Sequence, residues 1–171
     1  MRYSFSSLIL LSLWILQGSP ALGETEAIFS LEQSIKETLL KEVESATSTI
    51  DLAMREITSL DMASALLKAK ERGVKVRVIA DSKRAKMKSS QITFLINQGI
   101  SVKVLRGKNR GIMNHRFAIF DGKKVVTGSF DWSEASEKWN YENILILEEG
   151  EVVSSYLREF DRLWRKKRII H

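Results

Sequence analysis

Apolar residues recur along this chain with two periods, and the switches between them predict an order of helices and strands. Over residues 30–46, Ile35, Leu39, Val43 and Ala46 fall on one stripe at helical spacing, with Ser30 and Gln33 placed as a capping box. The period then drops to two, and Ile50, Leu52 and Met54 alternate over residues 49–54 as on a strand. A second helix is expected over 61–72, closed by Gly73, then a strand over 74–80 in which Val74, Val76 and Val78 alternate with Lys75 and Arg77. Helical spacing returns over 90–98, stops at Gly99, and gives way to a strand over 100–105. A glycine-rich basic loop, 106–112, leads into a strand at 114–120, an Asp121-Gly122 turn and a strand at 124–127, the pattern of a hairpin. Gly128-Ser129 opens a short helical segment, 143–147 reads as an apolar strand, and 152–164 as a closing helix that runs into Arg165-Lys166-Lys167-Arg168. Because helices and strands mostly alternate, the expected fold is α/β, a mixed sheet flanked by helices on both faces.

Composition narrows this to one globular domain. Among 171 residues, 44% are apolar and 28% charged, which excludes a disordered chain. Residues 1–23 carry one charge, Arg2, ahead of a largely apolar run at 8–16 and the small residues Ala21 and Gly23. That order reads as a secretory signal peptide, so the domain is expected at 24–171 of an exported protein, periplasmic or extracellular. A membrane anchor needs about 20 apolar residues, and Gln17 to Pro20 interrupt the run before that. Loss of Arg2 takes the net charge only from +6 to +5, so polyanions are the natural partners. The absence of cysteine excludes a disulfide framework and a thiolate zinc site.

Chemistry concentrates in residues 113–143. Asn114, His115 and Arg116 are followed after four residues by Asp121, after six more by Gly128-Ser129, then by Phe130 and Asp131, with Glu142 downstream. On these residues the chain resembles the phospholipase D superfamily. Its pattern is His, any residue, Lys, four residues, Asp, six residues, Gly-Ser, one residue, Asn, with a later Glu. The resemblance is to the small single-motif branch that includes the bacterial periplasmic endonuclease and the mitochondrial cardiolipin hydrolase, and it runs from about residue 27 to 164. Every spacing is kept, while Asn114 replaces the histidine, Arg116 the lysine and Asp131 the asparagine. The resemblance implies that the histidine attacks phosphorus to give a phosphohistidine and that a second motif's histidine protonates the leaving group, without metal or cofactor. It also implies a homodimer with the site at its two-fold interface, or pairing with an intact relative that supplies half a site.

The exchanged residues change that chemistry. An amide neither attacks phosphorus nor donates a proton near neutral pH, so Asn114 removes both roles. His115 would face away from Asn114 and Arg116 on a strand, and is read as a half-buried strand residue. Arg116 keeps a positive charge with a planar fork, and either holds phosphate oxygens or pairs with Asp131. For Asp131 the favoured reading is the N-cap of a following helix with Glu134 at N3, ahead of the ion pair. Glu142 is expected to accept a hydrogen bond from the Asn114 amide, Ser129 to bind phosphate from a turn opening a helix, and Asp121 to serve the turn and an ion pair. Gly128 belongs to the motif's backbone.

Between residues 81 and 116 stand nine basic residues against one acid, Asp81. Arg106, Lys108 and Arg110 lie in the loop feeding the motif strand and are expected to contact nucleic-acid phosphates. Trp132, Trp139 and Tyr141 are expected as core or dimer contacts. Three functions stay open: an active metal-independent phosphodiesterase, a member that binds phosphodiesters without cutting them, and a structural partner of an intact relative. The residue chemistry favours the second. Nucleic acid is preferred to phospholipid because the charge is loop-borne and no long amphipathic or apolar insertion is present.

Overall fold

Thr49–Met54 forms the strand (β2) around which the others are arranged, and from Ile50 onward all of its residues are buried. A strand covered on both sides must lie inside a two-faced sheet. The computed structural model describes residues 24–166. Its seven strands are β1 (Thr25–Phe29), β2, β3 (Lys75–Asp81), β4 (Ser101–Leu105), β5 (Arg116–Phe120), β6 (Lys124–Gly128) and β7 (Asn143–Leu147). They form one sheet in the order β1-β7-β6-β5-β2-β3-β4, with β2, β3 and β4 parallel and every other pairing antiparallel.

One face is covered by α1 (Ile35–Ser45), α2 (Leu60–Glu71) and α3 (Ile92–Asn97). Ile35, Leu39 and Val43 of α1, with Met62 and Leu66 of α2, pack on Ile50, Leu52, Val76, Val78, Ala118 and Phe120. The other face is covered by α5 (Gly150–Arg165), whose Val153, Phe160 and Leu163 pack on Ala53, Ile79, Phe117, Ile119 and Val125. This is the expected mixed sheet with helices on both faces, and the odd–even parity along each strand decides which layer a side chain enters. Beneath α5, Arg77 donates to both oxygens of Asp51, at 2.6 and 2.7 Å, while its guanidinium lies 4.8 Å from the Phe160 ring centre. The hydrogen bond to Asp51 raises the pKa of Arg77 against its burial, so this pair enters the core as a matched unit. No helix among the described residues is long and apolar enough to cross a membrane.

Several boundaries differ from the sequence reading. The first helix starts at Ile35, capped by Ser34, whose hydroxyl accepts from the Glu37 backbone N–H at 3.2 Å. Ser30 does not cap it; its hydroxyl accepts from the Glu142 backbone N–H at 2.9 Å. A first strand, β1, was not expected, since only Ile28 of its five residues is buried and no alternation is visible. The short helix α4 (Glu134–Lys138) begins after Ser133 rather than at Gly128-Ser129, because the Ser133 hydroxyl accepts from the Ser136 N–H. Gly73 and Gly99 do end their helices with φ of +94° and +72°, a region that disfavours side chains bearing a Cβ.

Asp121 ties the hairpin to the start of β2. Its carboxylate accepts from the backbone N–H groups of Thr47, Ser48 and Thr49, at 3.0, 2.7 and 2.9 Å, and from both hydroxyls of Thr47 and Ser48. It is a turn residue, at φ +52°, and makes no ion pair among the described residues. Burial opposes its ionisation, but the bonds from Thr49, Thr47 and Ser48 outweigh burial and hold its pKa well below the usual carboxylate range. A depressed folded-state pKa means that this stabilisation is complete above the unfolded value, about 4, and is lost as pH falls below it. Asp121→Asn is expected to cost about 2–3 kcal/mol at neutral pH, as the loss of hydrogen bonds to a charged acceptor does, and to flatten the acid limb of stability. Urea titrations across pH check this; an unchanged midpoint at pH 7 contradicts it.

Candidate functional site

Strand register brings the motif together at one end of the sheet. Met54 pairs with Arg116, Phe117 with Thr127, and Gly128 with Ile144. The end of β2, the start of β5, the end of β6 and the start of β7 are therefore level, and Arg55, Arg116, Ser129, Asp131 and Glu142 gather there. Gly128 permits this: a Cβ on it would lie 2.1 Å from the Asn143 carbonyl oxygen, so only glycine lets β7 pass so close. On the neighbouring strand Asp81, fully buried, accepts from the Met113 N–H at 2.9 Å and fixes the chain entering the motif.

Asp131 is an ion-pair centre and not a helix cap. Its side chain is 5% exposed and lies between two arginines: Arg55 donates through Nε at 3.1 Å and through Nη2, and Arg116 Nε stands 3.0 Å from Oδ1. The Arg116 N–H is not aligned on the oxygen, so the contact is an ion pair while that buried N–H lacks a hydrogen-bond acceptor. The hydrogen bond from Arg55 to Asp131 raises the Arg55 pKa against burial. Phe130 and Trp132, 4% and 1% exposed, anchor the core on either side and hold the carboxylate in place. Beyond Arg55, Glu56 bridges to Arg84 at 3.3 Å, so this face carries a network of alternating charge.

Ser129 and Glu142 form a second group. The Ser129 hydroxyl donates to Glu142 and accepts from the Asn143 N–H at 3.1 Å, and Asn140 donates to Glu142 at 3.0 Å. Glu142 therefore does not hold the Asn114 amide, which makes no hydrogen bond among the described residues. The strand explains this. It begins at Arg116 rather than at 114, and exposed Asn114 lies before it. Ser129 does not open a helix either, since α4 starts five residues later.

Asn114 and His115 instead line a cleft of about 350 Å³ beneath the end of α5, together with Arg106 and Lys108 of the basic loop. Arg110 is not among its walls, and it takes a left-handed φ of +64°. His115 packs edge-on against Phe117, with ring centres 5.4 Å apart, and its Nε2 lies 3.6 Å from Glu159. Arg116 and His115 thus sit on opposite flanks of the sheet. Trp132 is core, whereas Trp139 and Tyr141 are 76% and 85% exposed. Among the described residues no group of three or more His, Asp or Glu is placed to hold a metal ion.

The fold agrees with comparisons against known proteins. Residues 39–164 match the family described as "Cardiolipin synthase, PLD-like domain". The chain belongs to this phospholipase D-like family of phosphodiesterases. It is 37% identical over 128 residues to a mitochondrial cardiolipin hydrolase of Mus musculus, covering 75% of this chain and 57% of that one. For the human protein of the same name the figures are 34% over 134 residues, 78% and 52%. The chain thus spans about half the length of these relatives. Among solved structures, the phospholipase D family member Nuc from Salmonella typhimurium superposes with a TM-score of 0.76 at 27% identity, covering 85% of this chain and 99% of that one. NucT from Helicobacter pylori gives the same score and identity, covering 82% and 94%.

The relatives correct one expectation. They are named as mitochondrial proteins, which overturns the reading of an exported, periplasmic or extracellular protein. An apolar run behind a single cation does not by itself specify a compartment. The signal peptide assigned to residues 1–23 lies outside the described residues.

Sequence reasoning missed Arg55. The available signal was an arginine directly after an apolar strand, where the carboxyl ends of parallel strands place ligand-facing residues. If Arg55 and Arg116 share Asp131, the three are coupled. A double-mutant cycle on Arg55→Ala and Asp131→Asn should show a coupling of about 0.5–3 kcal/mol in chemical denaturation, the range for residues of one hydrogen-bonded or salt-bridged network. Additive effects contradict the shared pair.

Proposed function

We propose that this chain binds phosphodiesters, nucleic acid in preference to phospholipid, and that its hydrolytic activity is lost or very weak. One observation carries the reading: the residue at the nucleophile position is the amide Asn114, and Arg116, two residues further along the chain, is already matched by Asp131. A phosphoenzyme intermediate needs a basic lone pair at phosphorus, and an amide supplies none. Ser129 is engaged with Glu142, and His115 lies on the flank opposite Arg116, against Phe117. Nucleic acid is favoured by the position of Arg106 and Lys108 beside Asn114, where loop-borne cations meet a phosphate backbone. The competing reading, an active phosphodiesterase, is favoured by the relatives' name of hydrolase.

The reading includes a homodimer with the site at the two-fold interface, because one motif supplies half of a two-motif site. Exposed Trp139 and Tyr141, directly before Glu142 in the chain, offer apolar surface for the second copy. Pairing with an intact relative is the alternative.

Hydrolysis of bis-p-nitrophenyl phosphate in the presence of a chelator tests the central point. The wild type is expected at least about 10⁴-fold below an active relative, the usual cost of losing a covalent nucleophile. Asn114→His combined with Asp131→Asn is expected to restore a detectable phosphohistidine. Wild-type turnover that survives chelation and repurification but is lost in Asn114→Ala or His115→Ala contradicts the reading. Light scattering on the same preparation checks the pairing, with a dimer expected and a monomer at micromolar concentration against it.

A further inference from the structure

The two edges of the sheet are finished differently. At β4, Lys103 donates to the carbonyl oxygens of Trp164 and Lys166, so the end of α5 is tied to that edge. At the other edge stands β1, and none of its residues belongs to the core beneath α5. Backbone bonds from Glu148 to Glu24 and from Ser30 to Glu142 bracket its pairing with β7 and set the phase. Glu26 and Ile28 therefore turn their backbone groups toward β7, and Thr25, Ala27 and Phe29 turn theirs outward. Among the described residues the N–H groups of Thr25, Ala27 and Phe29 have no partner, and of their carbonyls only that of Phe29 is used, by Glu32 and Gln33. Sheets commonly protect such a row with a lysine, a proline or a bulge. Strand β1 contains neither residue, and its register with β7 runs without a break.

The flanks of this edge differ in character. Ile28 sinks into the α1–α2 core, so Glu26 shares that flank while Ala27 and Phe29 lie on the other. On the second flank Phe29 is 50% exposed, and Leu145, the partner of Ala27 on β7, is 39% exposed, an apolar strip beside the open backbone. On the first flank a hollow of about 100 Å³ is lined by Glu24, Glu26, Glu42, Glu148, Lys124 and Ile146. Its one cation, Lys124, is already shared by Glu42 at 2.9 Å and Glu148 at 3.2 Å. Glu24 and Glu26 form no ion pair among the described residues. This corner is thus acidic on a chain whose net charge is +6. The charge decides the occupant. Two copies joined edge to edge would gather Glu24 and Glu26 of both, and like charges across a strand pair are unfavourable. A strand carrying cations on that flank meets complementary charge instead.

We propose that β1 is a docking edge for an extended segment of another protein in which apolar residues alternate with lysine or arginine. The segment adds to the seven-stranded sheet as a further strand. Its backbone pairs with the outward groups of Thr25, Ala27 and Phe29, its apolar side chains lie on Phe29 and Leu145, and its cations face Glu24 and Glu26. The site involves none of the motif residues and does not depend on the phosphodiester reading.

The probe is a labelled heptapeptide of alternating lysine and valine, followed by fluorescence anisotropy with the full chain at physiological salt. Two further peptides carry N-methyl groups on the valines or on the lysines. Strand pairing uses the N–H groups of one set and leaves the other outside, so one methylated peptide is expected to bind about tenfold or more weakly and the other as the parent. Ala27→Pro, which removes an N–H that has no internal bond, should weaken the parent peptide about tenfold. Glu24→Lys/Glu26→Lys should weaken it at least about fivefold. In the wild type, with peptide at about ten times its Kd, the amides of Thr25, Ala27 and Phe29 should exchange about tenfold more slowly, a readout that needs no variant. Equal binding by both methylated peptides and by Ala27→Pro, with unchanged exchange at these amides, is adsorption to surface charge and overturns the proposal. Absence of binding at millimolar peptide does the same. Full affinity in Glu24→Lys/Glu26→Lys contradicts a cationic partner. Amides already protected without peptide, together with a mass by light scattering that halves in Ala27→Pro, would place a second copy on the edge and also overturn it.

Discussion

A carboxylate buried at the end of a sheet must be neutralised, and the way Asp131 is neutralised sets the character of the whole motif end. Desolvating a charge without a partner costs several kcal/mol, so Asp131 persists only because Arg55 and Arg116 flank it. The arginines are brought there by the pairing of β2 with β5, which places Met54 opposite Arg116 and leaves Arg55 one step beyond. Phe130 and Trp132 pin the carboxylate from the other side by sinking into the α1–α2 core. An aspartate at this place thus binds through its charge as well as through hydrogen bonds. It makes Arg55 and Arg116 the cations of an internal salt bridge.

The consequence is a division of labour between the two flanks of one sheet. At the motif end the charges are closed on each other, from Arg84 through Glu56 and Arg55 to Asp131 and Arg116. On the α5 side the cations of the basic loop face an open cleft. Strand parity makes the division possible, since neighbouring residues of β5 such as Phe117 and Ala118 are sent to opposite layers. The family to which the chain belongs acts on phosphodiesters, and here the positive charge that could meet such a ligand has its open portion on the second flank.

Much of this was legible from the residues alone, and the parts that were not have identifiable causes. The alternation in β2 and β3, the apolar run of β7 and the glycines at 73 and 99 marked most of the elements, because burial and positive φ leave direct marks in sequence. Ser34 was overlooked as a cap in favour of Ser30, since both serines precede the same apolar stripe and only the Glu37 N–H distinguishes them. Strand β1 left no alternation because it is an edge strand with one buried residue. Asp131 was read as a cap because aspartate serves caps and ion pairs alike. Its second partner, Arg55, is 76 residues away in sequence, a distance at which local pattern says nothing.

Asp131 occupies both arginines at the motif end, which leaves neither open to an added anion. The most direct measurement follows the Nε–H signals of Arg55 and Arg116 in ¹H–¹⁵N spectra while inorganic phosphate is added to the wild type and to Asp131→Asn. Both signals are expected to stay fixed at millimolar phosphate in the wild type and to move in a saturable way in Asp131→Asn. A saturable shift of the Arg116 signal in the wild type, equal to that in the variant, would contradict it.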